Sequence, residues 1–172
     1  MADRDRIEHL WTILCKGVAK DERGLSIIGL VDMVHVPALP ADRQIDFDCY
    51  VLSYWRRNFG EGTTIQQRLS FRYEDDGTRW VIEGEDQIVL LTRHLFCAIR
   101  PVHRLPIGGH GQHMFVVQRK DTPEAEWIDA PPTAGLWVAS DEMVSKIPPL
   151  RQEAANVETS SVGETTGKRN AP

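Results

Sequence analysis

Ile65-Gln66-Gln67-Arg68-Leu69-Ser70-Phe71-Arg72-Tyr73 is the stretch that decides the fold. Ile65, Leu69, Phe71 and Tyr73 share one face, and Gln66, Arg68, Ser70 and Arg72 share the other. Side chains alternate across a strand, so this pattern predicts a half-buried strand of an antiparallel sheet with one solvated face. Asp75-Asp76-Gly77 follows, residues that tolerate positive φ, and Thr78 to Gly84 returns as a second strand. Upstream, Ile45 to Trp55 (IDFDCYVLSYW) places Ile45, Phe47, Cys49 and Val51 on one face, with Asp46 and Asp48 opposite. If this strand pairs with Ile65–Tyr73, those aspartates and Arg68 and Arg72 form an exposed cross-strand ladder.

The same period runs outward in both directions. Trp11 to Val18 reads as a strand, Lys20 to Gly24 as a polar turn, and Leu25 to Val36 as a longer strand completing a hairpin. Pro37 and Pro40 end it. Gln87–Leu91, a run ending at Ile99, His113–Lys120, Ala125–Ile128 and Gly135–Ala139 supply further short strands. A short helical turn fits Ser140 to Lys146. Eight or nine short strands without a helical period of three turns predict an all-β fold. The expected architecture is a single antiparallel β-sandwich over residues 7–140. Residues 147–172 contain no aromatic side chain and are rich in polar residues, which predicts a disordered C-terminal tail.

The whole chain has 172 residues, 20 basic and 25 acidic side chains, and a net charge of −5. That length is about one domain, large enough to fold without metal or disulfide. The acidic balance argues against sequence-independent binding to nucleic acid or anionic membrane. Cys15, Cys49 and Cys97 sit in apolar runs with no C-x-x-C spacing, which suits buried thiols in a reducing compartment. No apolar run approaches the roughly 20 residues of a membrane span, and the N-terminus carries no secretory pattern. A cytoplasmic protein without cofactor is the expectation.

The order of features resembles a family of small bacterial proteins of unknown function with an immunoglobulin-like or C2-like β-sandwich. The resemblance rests on Cys15, Gly24, LSIIGLVDMVHVPALP (Leu25 to Pro40), Asp76-Gly77 and LPIGGHGQHMFVV (Leu105 to Val117). It spans roughly Trp11 to Val138 and implies the sandwich fold, but no activity and no functional residues.

Candidate chemistry is sparse. Gly108-Gly109-His110-Gly111-Gln112-His113 is the sharpest local feature, and His110 and His113 are the metal candidates. The Gly-Lys-Ser/Thr ending of a phosphate loop is missing. Histidines three apart on a strand face opposite ways, so a glycine-permitted turn is the favoured reading. Cys97 near His94 reads as core rather than nucleophile. Asp32, Asp46, Asp48, Glu83, Glu85 and Asp86 suggest a C2-like calcium site, against the simpler reading of solvated carboxylates. Tyr54, Trp55, Arg56 and Arg57 could stack on a base or sugar.

Cys49 to Trp55 is apolar on both faces: Cys49, Val51 and Trp55 on one, Tyr50, Leu52 and Tyr54 on the other. Such a strand is covered on both sides, by its own chain or by a partner. Tyr50, Leu52, Tyr54, Trp55 and Arg56 are therefore the candidate binding residues. The function expected is a non-catalytic protein-binding or self-associating module acting through sheet faces or edges. The alternatives are a metal-dependent or hydrolytic enzyme using residues 108–113, and a sugar- or nucleobase-binding module.

Overall fold

The computed structural model describes residues 7–22, 24–57, 63–82, 87–91 and 95–147. They form β1 (Ile7–Asp21), β2 (Gly24–Leu30), β3 (Met33–His35), β4 (Gln44–Arg57), β5 (Thr63–Tyr73) and β6 (Arg79–Val81). Then follow β7 (Gln87–Leu91), β8 (Leu95–Pro106), β9 (Gly111–Lys120), β10 (Ile128–Asp129), β11 (Ala134–Ala139) and the helix α1 (Asp141–Ser145). The fold is all-β and built from two sheets. The first has the order β2-β1-β4-β8 and the second β3-β11-β9-β5-β6, with β10 beside β9 and β7 beside β5. Strands number eleven among the described residues, more than the eight or nine expected. All pair antiparallel except β3 with β11, which are parallel. Apart from Ile147, the predicted disordered tail lies outside the described residues.

The expected strand Leu25–Val36 divides in two. β2 pairs with β1 as the second arm of a hairpin. Gly29, at φ 63, takes a left-handed backbone that an L side chain resists, and it breaks the extended run. Val31 N–H still reaches the Leu14 carbonyl at 3.0 Å, but the Asp32 carbonyl already accepts from Trp137 N–H at 2.8 Å. The chain thus passes from one sheet to the other within two residues, and one continuous segment supplies an edge strand to each sheet.

The core lies between the sheets. Leu14, Phe47, Val51 and Trp55 come from the first, and Ile65, Phe71, Phe115, Val117 and Leu136 from the second, all buried. Trp55 Nε1 donates to Gln67 Oε1 at 3.0 Å, joining β4 to β5 across the interior. Gln67 Nε2 in turn donates to Gln87 Oε1 at 2.9 Å. A register shift between His9 and Trp11 turns His9 inward against Trp55 and Trp11 outward onto Tyr54.

The two outer faces differ in chemistry. On the second sheet Arg68 bonds Gln118, Gln118 bonds Asp129, and Arg79 clamps Asp129 with two bonds of 2.8 Å. Arg68 and Lys120 both sit over the Trp127 ring. On the first sheet the register aligns Ile13 with Leu52 and Ile99, and Trp11 with Tyr54 and Cys97, an apolar surface. The expected ladder of Asp46 and Asp48 with Arg68 and Arg72 does not form, because β4 and β5 belong to different sheets. Asp46 lies 3.9 Å from Arg104 and Asp48 lies 2.7 Å from His103, both on β8, while Arg72 pairs with Glu74.

Candidate functional site

The histidine-bearing loop is tied into the fold by both of its imidazoles. His113 is fully buried, its ring stacked between Phe71 and Tyr73 with centroids 4.9 and 4.6 Å away. Its Nε2 accepts from Gly108 N–H at 3.3 Å, and its Nδ1 lies 3.2 Å from the Gly111 carbonyl. This arrangement suits a neutral ring with its proton on Nδ1. Burial, the dominant influence, lowers the His113 pKa from its ordinary value. His110 is held elsewhere, with Nε2 2.7 Å from the Val36 carbonyl. The glycines are there for close approach: a Cβ on Gly109 would stand 2.6 Å from the Tyr73 hydroxyl, and one on Gly108 would collide with the Tyr73 ring. The Tyr73 hydroxyl lies 2.7 Å from Asp75 Oδ2, and donation to that carboxylate pushes its pKa up to about 12.

The remaining chemical candidates are dispersed. Burial raises all three thiol pKa values, Cys49 to about 12 and Cys97 to about 11, so none is a thiolate at neutral pH. Among the described residues no three His, Cys, Asp or Glu side chains converge as metal ligands. Glu83, Glu85, Asp86 and His94 lie outside the described residues.

The predicted binding residues divide by strand parity. Trp55 is fully buried between the sheets and Arg57 is buried as well, so they do not join Tyr54 and Arg56 in one stacking platform. Arg56 pairs with Glu8 on the neighbouring β1. Tyr50 and Tyr54 are half-buried on the outer face, and between them Leu52 is completely buried. Its neighbours along the sheet, Ile13 and Ile99, flank it directly.

A different surface is bare. Every residue of β2 is exposed on this edge strand, including Leu30 at 74% and Ile28 at 56%. Seven of the ten exposed large hydrophobic side chains of the described residues lie on this side of the sandwich or round its corner. They are Leu25, Ile27, Ile28, Leu30, Met33, Trp137 and Ile147. Two clefts follow the same border. One, of about 370 Å³, runs between Ile13, Leu30, Val31 and Ala134. The other, of about 500 Å³, lies between Met33, Trp137, Met143 and Ile147. At about 180 Å² for a fully exposed large side chain, the seven leave roughly 600 Å² of apolar surface bare.

The sequence held half of this signal. Gly24 to Leu30 contains no charge and no proline, the two usual means of blunting an edge. Its position at the edge is a property of topology and shows only in the structure. No protein-family model matches the chain, and no curated protein matches it.

Proposed function

We propose that this protein is a non-catalytic assembly module that binds another polypeptide along the β2 edge. One observation carries the reading: an edge strand of seven uncharged residues, all exposed, four of them large and aliphatic. Such an edge offers unpaired backbone groups and apolar side chains together, the combination that strand addition uses. The outer face of the first sheet extends the surface, because Leu30 lies beside Cys15 and Cys15 beside Tyr50. The three free cysteines fit a reducing, cytoplasmic setting. The resemblance to the small bacterial sandwich family adds a fold and no activity. An enzyme using residues 108–113 has less support, since both histidines there serve backbone groups.

The test is a double variant, Ile28→Lys with Leu30→Lys. Both side chains face solvent, so melting should shift by no more than a few degrees. Partner chains that co-purify with the wild-type protein, further copies of itself included, should be lost from the variant. An unchanged set of associated chains would overturn the assembly reading.

A further inference from the structure

We infer that the chain bound by β2 is β2 of a second copy, joining two four-stranded sheets into one of eight strands. The inference rests on the assembly reading above and adds the identity of the partner. Its first support is hydrogen-bond direction. Asp21 and Gly24 flank a two-residue turn and so form a hydrogen-bonded pair, and residues alternate in an antiparallel ladder, so Ser26 and Ile28 face β1 while Leu25 and Ile27 direct their backbone groups away from it.

A two-fold axis normal to the sheet keeps each copy's outer face on the same side, so residues opposite one another must have the same parity. Centring the axis on Ile27 satisfies this. Ile27, whose backbone groups face outward, then exchanges two hydrogen bonds with the partner's Ile27. Leu25 comes to lie opposite the partner's Gly29, which has no side chain to obstruct it.

The second support is electrostatic. A net charge of −5 makes two copies repel in most orientations, but Gly24–Leu30 is uncharged. The charges of Lys20, Asp21, Glu22 and Arg23, which lead into β2 in the sequence, also sum to zero.

The third support is area. One segment, Gly24 to His35, supplies the edge strands of both sheets, so the axis that pairs the β2 edges also draws the β3 borders together. If each copy covers its roughly 600 Å², the total is about 1,200 Å², the lower bound of a stable specific interface. No third element is needed to complete it.

Sedimentation of the purified full chain between about 1 and 100 µM tests this. The expected result is a concentration-dependent species of about twice 19.5 kDa. It should fall to the single-chain mass in Ile28→Lys. It should fall also in Ile27→Pro, which removes an outward N–H and leaves the β1 ladder intact. A chain that stays single up to 100 µM overturns the inference, as does a dimer that survives both substitutions. If the chain is single yet Ile28→Lys with Leu30→Lys still loses a co-purifying partner, the assembly reading stands and the self-pairing fails. If neither occurs, both fail.

Discussion

Leu52→Ala is the sharpest probe of the first sheet's outer face. Leu52 is fully buried although it points away from the opposite sheet, with Ile13 on β1 and Ile99 on β8 directly beside it. Truncating a buried leucine costs about 2–5 kcal/mol, depending on how far the site can collapse. Ile13 and Ile99 are themselves only half-buried and can close in, which places the cost near the lower end, about 2–3 kcal/mol. For a domain of this size that lowers the melting temperature by about 6–12 °C. Urea unfolding should show a lower midpoint with the same slope, and scanning calorimetry should show the matching shift. Leu52→Asp buries a carboxylate among apolar neighbours and should cost more, about 4 kcal/mol or above. If Leu52→Ala stays within about 0.5 kcal/mol of wild type, lateral packing does not bury that face and the reasoning fails.

Gln67→Ala removes one of the two acceptors of the Trp55 indole N–H and the donor to Gln87, so equilibrium unfolding should show a loss of about 1–3 kcal/mol, while Gln66→Ala, at a half-buried position on the other face, should cost less. For His113 the sign follows from burial: its folded pKa lies below 6.5, so the unfolded chain takes up the proton first. Stability is therefore level above pH 6.5 and falls as the pH drops from there toward the folded pKa. Urea midpoints at pH 7.5 and 5.5 should differ less in His113→Phe than in wild type, with the remainder due to His9, whose pKa burial also lowers. Gly109→Ala must push the Tyr73 hydroxyl away from Asp75. The cost should be about 1–3 kcal/mol, and the tyrosine titration near 12, followed by ultraviolet absorbance, should move toward 10.

What the sequence conveyed was period and turn chemistry. The alternation of Ile65–Tyr73, the Asp76-Gly77 turn and the doubly apolar Cys49–Trp55 all appear as read, because each depends on neighbours within a few residues. Ser140 caps α1 by accepting from Met143 N–H, as its position before an acidic turn suggested. Pairing between distant strands left no local trace. The ladder of Asp46 and Asp48 with Arg68 and Arg72 depends on β4 pairing with β5, and nothing in either strand states which sheet it joins. The run Leu25–Val36 read as one strand because Gly29 inside an apolar stretch is silent about its φ. The edge position of β2 follows from that same division. Buried Leu52 was legible as a covered position, while the covering side chains, Ile13 and Ile99, lie 39 and 47 residues away in sequence.

Amide hydrogen exchange at Leu25 and Ile27, followed as a function of protein concentration, tests the central claim most directly. Both amides point away from β1, because Ser26 and Ile28 between and beside them bond to it, so in a single chain they are open to water. The account predicts slow exchange at both positions at about 100 µM and a return to open-chain rates as dilution separates the copies, with the β1 amides protected throughout. Open-chain exchange at Leu25 and Ile27 at every concentration would contradict it.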